Sequence, residues 1–258
     1  MALPLSRRAA LFALGSTVLL GSCTIASDGK NTPNSASASE GSLKTVTPGK
    51  LTIATGEPAY SPWVENNDPA SGKGFEAAVA YAVAGKLGFA NADVVWVRST
   101  FDAAVAPGAK DWDFNLQQFS ITEERRNAVD FSSPYYTTAQ AVVTLKGSPV
   151  SGATTVAELK SALLGAQTGT TSHRMLTETV APTTAPSVFN NSQDTVQALK
   201  GGQVDAIVVD LPTALYLVAA ELDGGVVVGQ FADTSGGDQF GLVLPKGSPL
   251  TAAVTGAV

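Results

Sequence analysis

Cysteine and histidine occur once each in this 258-residue chain, at Cys23 and His173. A single cysteine excludes an intrachain disulfide and a catalytic thiol anywhere else in the chain. With only one histidine beside it, a zinc site built from His and Cys ligands is excluded as well. No glycine-rich loop ends in Gly-Lys-Ser/Thr, so no phosphate loop for nucleotide hydrolysis is present. Charged residues make up only 15%, and the basic ones are outnumbered, 16 against 22. The net charge is −6, and −8 once the first 22 residues, which hold two arginines and no acid, are set aside. So acidic a chain is a poor partner for nucleic acid. What remains, at 44% hydrophobic residues, is enough for the core of one large domain or two small ones.

The N-terminus has a basic start, Arg7-Arg8, an apolar stretch from Ala9 to Leu20, and small residues before Cys23. That is the order of a secretory signal, expected over residues 1–22, and the apolar stretch is too short to span a bilayer. Leu20-Gly21-Ser22-Cys23 resembles the lipobox of bacterial lipoproteins, which makes Cys23 the lipidated first residue of the mature chain; the alternative is an unmodified thiol in a leader. Ser6-Arg7-Arg8 with Leu11 partly resembles a twin-arginine export signal. Residues 24–46 are rich in Ser, Ala, Thr, Asn and Gly, without apolar periodicity, and read as a disordered tether. Such a tether reaches on the order of 25 Å, enough to hold a globule just off an extracytoplasmic membrane surface.

From Lys50 onward strands and helices alternate. Leu51–Ala54 reads as a strand, Gly56–Gly74 as a loop with three prolines, and Phe75, Val79, Ala82, Val83 and Leu87 fall at helical spacing. Val94–Val97 and Trp112–Leu116 are further strands, with a short helix over Phe101–Val105 between them. A second series follows Tyr136: strand Ala141–Leu145, helix Val156–Leu164, strand Leu164–Gln167, helix Gln193–Leu199, strand Val204–Val209, and helix Leu211–Leu222 opened by Pro212. Val226–Val228 and Phe240–Leu244 close the set of strands. Two alternating series argue for two α/β lobes with mainly parallel sheets, which bind ligands beyond the carboxyl ends of their strands.

Between the two series lies Gln118–Tyr136, QFSITEERRNAVDFSSPYY. Arg125 offers a planar fork of donors for a carboxylate, and Ser120 and Thr122 add hydroxyls before a helical turn. The alternative reading is purely local: Ser120 or Thr122 is a helix N-cap, Glu123 closes a capping box on Ser120, and both arginines are solvated.

Five motifs in order then resemble the bacterial extracellular solute-binding proteins for amino acids, the family 3 partners of ATP-binding-cassette (ABC) importers. They are Gly74-Phe75-Glu76, SITEERRNAVDFSSPYY, AQTGTTS, GGQVDAIVVD and DQFGLVLPKGSPL, spread over Leu51 to Leu250. The resemblance implies a two-lobed, periplasmic-binding-protein-like type II fold with a double hinge crossover. Lobe 1 would comprise residues 47–138 and 231–258, and lobe 2 residues 139–230. It also implies a monomeric receptor without cofactor, metal or catalysis, anchored outside the cell membrane through Cys23 and delivering a free amino acid to the importer's membrane subunits.

By the same resemblance Arg125 grips the ligand's α-carboxylate with Ser120, Thr170 and Thr171, and Asp210 takes the α-ammonium with the backbone carbonyl of Gln118. Tyr60, Trp63 and Phe101 match positions whose rings enclose the ligand side chain, and Glu57 one where binders of basic ligands often carry an acid, which tilts the expected ligand towards polar or basic. Each has a plainer reading: Thr170, Thr171 and Asp210 as helix caps, the aromatics as core, Glu57 as a solvated loop residue, His173 as a surface residue. Two departures stand out. Ala78 replaces a second acid usual in the first helix, and the chain ends at Val258, soon after Pro249, where relatives continue into more helix. An extracytoplasmic dehydratase of a cyclic carboxylic acid is the alternative within the same architecture, and a ligand sensor a third reading. For an enzyme, His173 and Glu57 are the available acid–base groups.

Overall fold

The computed structural model describes residues 43–232 and 236–258. The leader, Cys23 and the tether up to residue 42 lie outside the described residues. The last four residues assigned to the tether are not loose, however. Leu43 packs against the core of the first sheet, and the Val46 N–H donates to Asp113 Oδ1 at 2.8 Å.

Ten strands form two five-stranded sheets among the described residues. The first contains β1 (Leu51–Thr55), β2 (Val94–Arg98), β3 (Phe114–Asn115), β4 (Val129–Thr138) and β10 (Asp238–Pro245), in the order β2-β1-β3-β10-β4. The second contains β5 (Gln140–Leu145), β6 (Leu164–Gln167), β7 (Ser187–Phe189), β8 (Ala206–Asp210) and β9 (Gly225–Gln230), in the order β7-β6-β8-β5-β9. The chain passes between the sheets at Ala139 and again between Gln230 and Asp238, which is the double crossover expected of a two-lobed type II fold. Parallel pairing is confined to β1 with β2 and β3 and to β6 with β7 and β8. The strands next to each crossover, β10 and β5, pair antiparallel on both sides, so each sheet is mixed.

Strand alternation sets where the cores lie. Leu51 and Ile53 of β1, with Leu242 and Leu244 of β10, face a cluster completed by Val83 of α1 (Phe75–Lys86) and Val254 of α7 (Thr251–Ala257). Ala54 and Val243 point the other way, onto Phe119, Phe131 and Phe101 of α2 (Phe101–Val105). The second lobe repeats this logic. Val142 and Val208 meet Leu164 and Leu176 on one face, while Val143 and Ile207 meet Leu199 of α5 (Ser192–Lys200) and Leu217 on the other. Each fully buried Leu, Ile or Phe contributes about 1.5–3 kcal/mol.

The helix expected over Val156–Leu164 is only a 3-10 turn over Val156–Leu159, capped by the Thr155–Glu158 box. It stops because its next groups are committed elsewhere: the Lys160 carbonyl accepts from Thr183 N–H at 2.8 Å, and Leu163 N–H donates to Asp205 at 2.8 Å. The helix from Leu211 is α-helical to Tyr216 (α6) and π-helical over Leu217–Glu221. No helix among the described residues is long and apolar enough to cross a membrane.

Candidate functional site

Thr122 accepts the Arg125 N–H at 3.2 Å and thereby caps α3 (Glu123–Arg126). Ser120 is therefore not the cap. It is buried, bridged to Phe240 across the sheet, and its hydroxyl lies 3.2 Å from both Thr171 Oγ1 and Asp238 Oδ2. Arg126 points outward towards Glu123 at 3.5 Å, whereas Arg125 turns inward. Its Nη1 donates to the Ser120 carbonyl at 2.7 Å, its Nη2 to the Gly169 carbonyl at 2.8 Å, and its guanidinium lies 5.2 Å from the centre of the Phe101 ring. Burial lowers its pKa to about 10, against the pull of Asp238, so it stays cationic at neutral pH.

The second lobe meets this arginine with the turn that follows β6. Gly169, at φ +68°, comes so close to α2 that a Cβ there would sit 2.5 Å from Asp102 Oδ1. Thr170 caps α4 (Thr171–Arg174) by accepting the His173 N–H at 3.1 Å, and Thr171 donates its hydroxyl to Asp238 at 2.7 Å. Asp238 also accepts from Gln140 Nε2 at 2.7 Å, so one carboxylate gathers groups from both lobes. At the end of β8, Asp210 caps α6: its Oδ1 accepts the Thr213 N–H at 3.0 Å and its Oδ2 the Thr213 hydroxyl at 2.8 Å. Burial raises its pKa to about 6, opposed by the Thr213 bonds and helped by Asp238. The capping role and an inward position thus coincide, since carboxylate oxygens retain further lone pairs.

A cavity of about 150 Å³ lies between the two sheets. Of the residues anticipated from sequence, Arg125, Ser120, Gln118, Glu57, Tyr60, Phe101, Thr170, Thr171 and Asp210 line it. Trp63 does not: it is buried, donates its Nε1 to Thr213 Oγ1 at 2.8 Å, and packs edge-on against Phe75, Tyr136 and Phe240. A ring wedged by three aromatics and fixed by its N–H is part of the seam between lobes, not a wall of the cavity. Tyr60 packs edge-on against Tyr216 of α6, with ring centroids 6.4 Å apart. Glu57 is 58% exposed, its nearest cation being Arg98 at 3.9 Å. His173 is half-buried on α4 and outside the cavity lining. Ala78, the departure in the first helix, faces solvent on α1.

Sequence reasoning missed Glu76, Gln117 and Gln140, which also line the cavity, and Asp238 behind it. Glu76 opens α1, where an acid ordinarily complements the helix dipole at the surface, so nothing local marks it as buried. Chemically the cavity offers a fixed guanidinium and a fixed carboxylate contributed by different lobes, with hydroxyl and amide donors around them. That arrangement suits a small zwitterion stripped of water, because each buried charge then finds its opposite.

The family model of the bacterial extracellular solute-binding proteins, family 3, matches residues 51–256. Among related sequences, the chain is 30% identical over 202 residues to the probable histidine-binding protein of Campylobacter jejuni, covering 76% of this chain and 73% of that one. Among solved structures it is similar to an ancestral arginine-binding protein bound to arginine, with a TM-score of 0.68 and 32% identity over 81% of this chain and 90% of that one. It is also similar to an ancestral amino acid-binding protein, AncCDT-1, a precursor of cyclohexadienyl dehydratase, with a TM-score of 0.65 and 27% identity over 81% and 87% of the two chains. Because the match runs through both sheets and every segment of the cavity wall, the chain belongs to the bacterial extracellular solute-binding proteins, family 3.

Proposed function

We propose that this protein is an extracytoplasmic receptor that closes two lobes on a free amino acid and delivers it to the membrane subunits of an ABC importer. The observation that carries this reading is the pairing of Arg125 and Asp210 in one cavity between the sheets. Arg125, Ser120, Thr170 and Thr171 take the α-carboxylate, and Asp210 with the Gln118 carbonyl takes the α-ammonium. Tyr60 and Phe101 flank the ligand's side chain. Lobe 1 is formed by residues 47–138 and 231–258 and lobe 2 by residues 139–230, with lipidated Cys23 as the anchor and the monomer as the working unit.

A polar or basic side chain fits best. Glu57, Gln117, Gln167 and Asn191 line the cavity, and the similar proteins described above include a probable histidine-binding protein and an arginine-binding protein. Binding rather than catalysis is favoured because the similar proteins described above are named as amino acid binders; of the acid–base groups considered from sequence, His173 stands outside the lining and Glu57 is largely exposed. Likeness to a dehydratase precursor gives the enzyme reading its only support, and that precursor is itself an amino acid-binding protein.

A thermal-shift screen against the twenty amino acids tests the proposal. At about a hundred times its dissociation constant, a true ligand adds roughly 2.7 kcal/mol of stability. Folded protein that shifts with none of the twenty overturns the receptor reading, and turnover of a cyclic carboxylic acid replaces it with the enzyme.

A further inference from the structure

Glu76, in the first turn of α1, is 1% exposed and lines the cavity. Its Oε1 accepts the Gln118 N–H at 2.7 Å and the Tyr135 hydroxyl, and its Oε2 accepts from Gln118 Nε2. All three donors are neutral, and no ion pair among the described residues includes Glu76. The titratable groups facing it are Tyr135 from β4 and Asp210 from the end of β8. Arg125, Glu57 and Tyr60 stand elsewhere on the same cavity wall, and Asp238 lies behind it.

A carboxylate buried without a cation is strongly disfavoured, and a second carboxylate across the cavity disfavours it further. Burial accordingly raises the Glu76 pKa to about 7 against the lowering effect of its hydrogen bonds, with Asp210 adding to the rise. The Tyr135 oxygen accepts as well as donates, so Glu76 keeps a partner when protonated. Gln118, meanwhile, is in the left-handed region at φ +50°, and both its backbone and its side chain are held by Glu76.

Resting on the receptor reading, we propose that Glu76 is a positioning residue of the amine subsite and its proton carrier. It holds Gln118 in the left-handed turn that presents the carbonyl, and it gives up a proton to solvent as the ligand's ammonium settles between that carbonyl and Asp210. One proton leaves as one ammonium arrives, so the charge of the subsite is conserved. Affinity therefore rises with pH, by up to tenfold per unit for each linked proton below pH 7, and levels off above it.

Two measurements test this. Without ligand, Glu76 makes the protein less stable as pH rises from 5 through 7, because its folded pKa exceeds the unfolded value of 4.5. Glu76→Gln should reduce that slope by one proton, and equal slopes in the two proteins overturn the proposal whatever the ligand is. With L-arginine, L-histidine and L-glutamine as probes, calorimetry at pH 7 in buffers of different ionisation enthalpy should record proton release on binding, diminished in Glu76→Gln. Release equal in the variant, or absent from the wild type while a probe binds, also overturns it. Tyr135→Phe, which deletes one donor to the ionised form, should move the midpoint of release to higher pH even if Glu76→Gln folds poorly. If none of the twenty amino acids binds but the slopes differ as stated, it is the receptor reading that fails.

Discussion

Arg125 and Asp210 look ordinary in their immediate surroundings, one in a four-residue helical turn and the other as an N-cap, and each is held in place by backbone or a near neighbour. Their cost appears only when they are considered together, since each is a charge turned into a small cavity. Truncating either to Ala should lower amino-acid affinity by at least about a hundredfold, read by calorimetry, because the opposite charge of the ligand is then buried alone. Asp210→Asn separates binding from stability. Asparagine caps α6 as well as aspartate does, and it removes a carboxyl whose pKa is raised to about 6 from an unfolded value of 3.8. A raised acid contributes stability that is complete below the unfolded value and lost as pH rises through 6. The variant should therefore melt no lower than the wild type at pH 8 while failing to bind. Undiminished affinity in any of these variants would remove that residue from the site.

At the level of elements, the start of α1 is the most constrained junction. Gly74 has φ +96°, and a Cβ there would approach the Trp63 carbonyl oxygen to 2.5 Å, a backbone atom with little room to retreat. Gly74→Ala should cost about 1–3 kcal/mol in chemical denaturation and should weaken binding as well, because α1 carries Glu76. Elements whose information is local were legible: β1 and β8 as apolar runs, α1 from its helical spacing, α2 between Thr100 and Ala106. Nothing local marks β4 as a strand, since Pro134 sits in its middle. Its place at the sheet edge, with the register shifting where Pro134 meets Gly241, is what accommodates the proline. The helix expected beyond Leu159 was lost to hydrogen bonds from Thr183 and to Asp205, partners that no local pattern announces.

For the molecule as a whole, the site belongs to neither lobe alone. Arg125 and Ser120 come from the first lobe, Thr171 and Asp210 from the second, and Asp238 beside the second crossover bonds to both sides. Motif order along the chain is enough to pair Arg125 with Asp210 as candidates. It did not reveal Glu76 or Asp238, whose partners lie 42 and 118 residues away and are chosen by how the sheets stack. Trp63 was placed wrongly for a similar reason: an aromatic in a loop before α1 looks the same from sequence whether it flanks a ligand or joins two lobes. Its actual position gives the protein an optical reporter. Of the three tryptophans, Trp96 bonds to Tyr81 and Trp112 is buried beside β3, both within the first lobe, whereas Trp63 alone bonds across the seam, to Thr213. Parting of the lobes should strip that bond, wet the indole and shift its emission to the red, and ligand should return it to the blue. Stopped-flow fluorescence would then time closure without any label, and the signal should vanish in Trp63→Phe; a ligand-dependent change that survives this substitution would have to come from another ring.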